Sequence, residues 1–188
     1  MRSRASRRHR FALLTVLFLL SRAADAGGTY MVTPDLRHET NPIVSVLGAG
    51  WGGLLVVQVA LSALVIWLTY WDLFGSRLPY PTQRGLGFRE FAGAYYFGRK
   101  STLVEFLWRP PAGWRLNLKL AGYALPRLLI VLGFTVATSS IASLHSEVWR
   151  GVLRVTSPWI YLVPILVLAF WSIYGFLRRE FQCYVDAS

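Results

Sequence analysis

Residues 43–71 read IVSVLGAGWGGLLVVQVALSALVIWLTYW and hold no charged side chain. A bilayer core of about 30 Å is crossed by ~20 apolar residues in a helix, so this stretch is long enough to span a membrane. The span is placed at 51–70, with Trp51, Trp67, Tyr70 and Trp71 as amphipathic anchors at its two ends. Gly48 and Gly52 have GxxxG spacing, and Ala49 and Gly53 repeat it one residue later. Small residues so spaced let two helices approach closely, which would suit a membrane-protein partner or a second copy of the chain. A flexible, glycine-rich helix entry fits the same residues equally well.

Working back from this span, PDLRHETNP (34–42) is a short polar loop, and Pro42 stands where a helix tolerates proline, at its first position. Before it come RSRASRRHR (2–10), the apolar run FALLTVLFLL (11–20) and SRAADAGGTYMVT (21–33). Two readings stand here. One is a secretory signal peptide with a small-x-small site at Ala24-Asp25-Ala26, which would leave Gly27 as the first residue. The other is an uncleaved helix over 11–33, whose 23 residues would reach ~34 Å. The second carries Arg22 and Asp25 within the bilayer, which is costly unless they face protein or water.

Working forward, 71–115 is the longest polar region, with seven Arg and Lys against Asp72, Glu90 and Glu105. Phe88, Phe91 and Tyr95 fall at i, i+3 and i+7, the pattern of an amphipathic helix lying among headgroups. Spans follow at 116–144, interrupted by Pro126-Arg127, and at 159–177, with a kink expected at Pro164. HSEVWRGVLRVTSP (145–158) reads as a loop between them. The expectation is a single all-α membrane domain over 1–188. It would be a bundle of four transmembrane helices, three if the N-terminal segment is cleaved, with one interfacial amphipathic helix.

Composition agrees. Of 188 residues 54% are hydrophobic and 15% charged, with mean hydropathy +0.42 and a formal charge of +11. A soluble domain carries about 25% charged residues. The basic excess sits at the edges of apolar blocks, so it is read as membrane flanks and no nucleic-acid partner is expected. The sole cysteine, Cys183, excludes an intrachain disulfide framework. Counting Lys and Arg by loop places 14 on one side and three on the other. The N-terminus, the 71–115 loop and the C-terminus are therefore expected in the cytoplasm, and 34–42 outside.

Residues 20–55 also carry a pattern with Asp25, then Thr29, then Glu39-x-Asn41-Pro42 opening the second helix. It resembles a group of small prokaryotic integral membrane proteins of unknown function, the DUF5658 family. The match covers about a fifth of the chain and leaves 71–188 without a counterpart. The resemblance implies an uncleaved first helix in a bacterial inner membrane, and implies no activity.

Candidate polar residues fall in two groups. Arg22, Asp25 and Thr29 share one face of the first helix, and Arg127 lies near the middle of the third span. Asp25 is expected to pair with Arg22 or, at similar depth on the parallel third span, with Arg127, and so hold the bundle's register; a proton or ion relay is the second reading. In the loop, Asp35, His38 and Glu39 bring metal-ligand types together, but Glu39, Asn41 and Pro42 suit the capping of a helix better than any metal pattern. No H-E-x-x-H, G-x-S-x-G, P-loop or dinucleotide fingerprint occurs. Ser139 and Ser140 in the third span are hydrolase candidates only in the loosest sense, without an evident base. No catalytic residue, metal or cofactor is assigned. The expected role is an accessory, scaffolding or binding subunit, with a small transporter built on Asp25 and Arg127 as the alternative and an intramembrane hydrolase third.

Overall fold

The computed structural model describes residues 4–35, 50–76, 78–99, 101–102, 105–106 and 109–187, the side chains of 150 and 153–160 excepted. Among the described residues five helices follow one another: α1 (Arg4–Val32), α2 (Trp51–Phe74), α3 (Phe88–Phe97), α4 (Trp114–His145) and α5 (Glu147–Val185). No strand occurs among the described residues. Among the described residues, four helices are long and apolar enough to cross a membrane: α1, α2, α4 and the Tyr161–Val185 part of α5. In each, only 17–22% of the most apolar stretch is buried inside the protein. Leu13, Val16, Val56, Val59, Leu166 and Val167 are among the side chains left outside. So much uncovered apolar surface is stable only in an apolar solvent, and helices satisfy their backbone internally there.

α4 is the hub of the bundle and packs against α1, α2 and α5. Contacts along α1 and α4 advance together, Ser21 with Leu129 and Gly28 with Ala137, so these two run parallel. α2 returns antiparallel to α1, pinned by Phe11 on Tyr70 and Phe74 at one end (ring centroids 5.9 Å each). Tyr30 on Trp51 (5.6 Å) and the Trp51 indole donating to the Pro34 carbonyl (2.7 Å) hold the other. α5 also runs antiparallel to α4, with Tyr123 against Phe176 at 5.7 Å and the Tyr161 hydroxyl donating to Ser139 at 3.0 Å. The beginning of α1 and the end of α5 thus meet at one end of the bundle.

Close approach depends on residues without bulk. A Cβ on Gly122 would run into the Leu68 carbonyl, whose carbon lies 2.7 Å away, and would stand 3.1 Å from Asp72 Cβ. A Cβ on Gly133 would meet the Arg22 guanidinium and the Ser21 carbonyl oxygen at 2.9 Å. In lipid no hydrophobic force drives helices together, so such backbone contacts and the hydrogen bonds they permit carry the association.

The stretch 145–158 departs from expectation. Only Ser146 separates α4 from α5. Its hydroxyl accepts the Trp149 N–H at 3.1 Å, and Glu147 occupies the first turn, an N-terminal signal that starts a helix at once. The residues that suggested a loop belong to that helix from Glu147 onward, and it continues unbroken through Pro164. The helix expected around 88–95 is present as α3, opened by Glu90 accepting the Gly87 N–H (3.2 Å) and closed by Gly98 at φ +70°. Its aromatic stripe turns to protein: Phe91 and Tyr95 pack on Phe181, Tyr184 and Tyr80. His38, Glu39, Asn41, Pro42 and Gly48 lie outside the described residues.

Gly122→Ala is expected to lower the stability of the folded protein in detergent by about 1–3 kcal/mol, because α2 must retreat from α4. Gly52→Ala, where no atom of the described residues lies within 4 Å, should change it by less than ~0.5 kcal/mol. Thermal unfolding followed by helical circular dichroism checks both.

Candidate functional site

The stripe on α1 is real but closes locally. Arg22 Nη1 donates to Asp25 Oδ2 at 3.2 Å, and Nη2 donates to the Leu129 carbonyl of α4 at 2.6 Å. The guanidinium therefore ties a turn of α1 to the backbone of α4 where Gly133 leaves room. Thr29 enters through its carbonyl, which accepts the Thr33 N–H at 2.8 Å. Thr15 Oγ1 is buried without a hydrogen-bond partner.

Arg127 is not the partner of Asp25. Ser21 and Arg22 lie level with Leu129–Gly133, which puts Asp25 roughly two turns, ~11 Å, beyond Arg127 along the parallel pair. Arg127 instead donates Nη1 to the Tyr123 carbonyl one turn earlier, and its guanidinium lies 3.8 Å from the centre of the Tyr123 ring. Its other electrostatic neighbours are Arg10, Asp72 and Arg179. The expectation of equal depth failed because it counted positions along each helix. The true register follows from which small residues meet.

Those neighbours belong to the most developed polar cluster in the protein, one not singled out from the sequence. Asp72, at the end of α2, accepts two parallel bonds from Arg179 of α5, Nη1 to Oδ2 and Nη2 to Oδ1, each 2.7 Å. The same guanidinium donates Nε and Nη2 to Glu180 Oε1 at 2.9 and 2.7 Å. It also lies 4.9 and 5.0 Å from the Tyr123 and Phe176 ring centres. Glu180 Oε2 accepts from Tyr80 (3.3 Å) and Tyr95 (3.4 Å), which extends the network into the 78–97 segment. Burial, and next the Glu180 carboxylate, push the Tyr95 phenol well above its ordinary value, so it remains a donor. A clue was available: Asp72 is the sole acid between Glu39 and Glu90, at the rim of a span, and such a carboxylate requires a cation.

Beside this network lies a cavity of about 520 Å³, lined from all four long helices. α1 contributes Ser6, Arg7 and Arg10, α4 contributes Lys119, and Asp72 and Arg179 form part of the wall. Lys119 is buried, 6% exposed. Arg7 Nε is buried with no hydrogen-bond partner, and Arg7 Nη1 donates to the Leu73 carbonyl over a long 3.4 Å. No group of three or more metal-ligating side chains occurs among the described residues. Ser139 is bonded to the Trp149 indole N–H (3.3 Å) and the Tyr161 hydroxyl (3.0 Å), neither of them a base.

The fold and this cluster define a multi-pass, all-helical membrane protein with a charged end. No protein-family model, curated protein or solved structure matches the chain.

Asp72→Asn or Arg179→Gln alone should each destabilise by about 3–5 kcal/mol, by stranding a buried charge, and the double variant by less than their sum. The cycle of Asp25→Asn and Arg127→Gln should instead be additive within ~0.5 kcal/mol. Both cycles are read from melting of the purified protein.

Proposed function

We propose that this chain is an accessory or scaffolding subunit of a bacterial inner membrane, with both termini in the cytoplasm. The observation that carries the reading is where the intramembrane charges go. Arg22 bonds to Asp25 and to the backbone of α4, and Arg179 joins α2 to α5. These groups lock helices together, and such bonds leave little for a relay of protons or ions. Orientation follows from the 14-to-three distribution of Lys and Arg, and the bundle gathers both termini at one end, as four spans require.

The surface available to a partner is the outer face of α2. Among the described residues nothing stands within 4 Å of a Cβ at Gly52, and Val56 and Val59, one and two turns on, are 69% and 67% exposed. Such a face suits another apolar helix, from a membrane-protein partner or a second copy. The uncleaved first helix implied by the resemblance to DUF5658-like proteins is part of the same proposal. α1 runs unbroken through 24–26, and its Arg22 and Gly28 are seated against α4.

Three measurements test this reading. N-terminal sequencing of the purified protein should find residues 1–26 present; Gly27 as the first residue would remove α1. Gly52→Ile should leave the melting curve unchanged and abolish the oligomer or partner complex seen by native mass spectrometry in lipid nanodiscs. Proteoliposomes should show no proton-coupled flux. A flux lost in an Asp25→Asn variant of normal abundance would transfer the assignment to the transporter class.

A further inference from the structure

We propose that the cavity at the charged end binds a phosphate group, offered by an anionic phospholipid headgroup or by a small soluble phosphate. The inference stands apart from the accessory role, since it needs no protein partner.

The argument begins with charge. Arg7, Arg10, Lys119 and Arg179 line the cavity against Asp72, Glu180 and Asp186, leaving an excess of positive charge in a partly enclosed space. Two of the three carboxylates are already engaged. Asp72 accepts both Nη groups of Arg179, and Glu180 accepts Arg179, Tyr80 and Tyr95. Lys119 is buried at the wall and adds its charge to that space.

Geometry adds a missing acceptor. Arg7 Nε is buried without a partner, and a buried N–H left unpaired costs more than the bond it lacks would contribute. Arg7 is part of the cavity wall, so a turn of its side chain would bring that donor to an oxyanion held there, and a guanidinium matches the spacing of phosphate oxygens by its planar fork. The volume, about 520 Å³, is in the range of pockets that take small ligands.

Position indicates where such a group would come from. Arg7 and Arg10 directly precede the apolar run that opens at Phe11, and Glu180–Ala187 close the chain beyond the apolar part of α5. The cavity is therefore at the height of lipid phosphates, yet open to solutes of the same chemistry.

The test uses the full-length protein. Wild type, Arg7→Gln/Arg10→Gln and Arg4→Gln/Arg8→Gln are purified from nanodiscs holding equal phosphatidylglycerol and phosphatidylcholine. Retained lipid is counted by native mass spectrometry. Arg4 and Arg8 are exposed and absent from the cavity wall, so the control pair removes the same charge from the surface. Wild type and the control pair should retain phosphatidylglycerol about tenfold over phosphatidylcholine, and the cavity pair should lose that preference. In detergent without lipid, inorganic phosphate and glycerol 3-phosphate are compared with chloride at equal ionic strength. A rise in melting temperature in wild type, absent in the cavity pair, identifies a soluble phosphate as a ligand; lipid retention without such a rise identifies the headgroup. Equal loss in both variant pairs would reduce the effect to general surface charge and overturn the proposal. Wild-type protein that prefers neither lipid and gains nothing from phosphate overturns it whatever the variants do.

Discussion

The missing Cβ at Gly122 sets the geometry of the charged end. It brings the backbone of α2 onto α4 at Leu68, and so fixes where Asp72, one turn on, emerges. A carboxylate at that place, 7% exposed, needs a cation held rigidly, and Arg179 reaches it from the third helix packed on α4. Glu180, Tyr80 and Tyr95 follow from that placement, since the same guanidinium draws Glu180 inward and Glu180 draws the two phenols. The 78–97 segment is thereby seated on the end of α5, with Tyr184 donating to the Gln83 carbonyl at 2.6 Å.

Two kinds of interaction divide the bundle. Along its length, where lipid surrounds it, helices meet through glycine, alanine and serine, and polar side chains bond to backbone carbonyls. Arg22 on Leu129 and Thr69 on Val65 are examples (2.6 and 2.7 Å). At the charged end, aromatic rings and paired charges replace small residues. Phe91, Tyr95, Tyr184 and Phe181 form a cluster that a soluble protein could hold as a core.

The sequence shows the architecture readily because long apolar runs, two of them (43–71 and 155–177) uncharged over more than twenty residues, leave few alternatives to helices in lipid. It showed α3 as well, since Phe88, Phe91 and Tyr95 repeat at helical spacing. Which neighbour would cover that stripe is a tertiary fact, and no local pattern in 88–97 points to Phe181 or Tyr184. The polar site was legible in part. Arg22 and Asp25 lie one turn apart and can find each other within one helix. Arg179 with Asp72 spans 107 residues, and an arginine just beyond a span fits a membrane flank equally well. Segment 145–158 misled because Ser146 and Glu147, the polar residues that start a helix, look like a loop when counted along the chain.

Ser146 gives the bundle a mechanical character. One residue joins helices of 32 and 39 residues, so α4 and α5 form a pair of arms about 48 Å or more in length hinged at a single point. A rotation of only ~3° at that joint moves the far tips apart by roughly 2.5 Å, close to the length of a hydrogen bond. The Asp72–Arg179 pair and the cavity both lie near those tips. There a clasp acts with the greatest leverage, and the width of the cleft answers most steeply to whatever opens or draws in the arms.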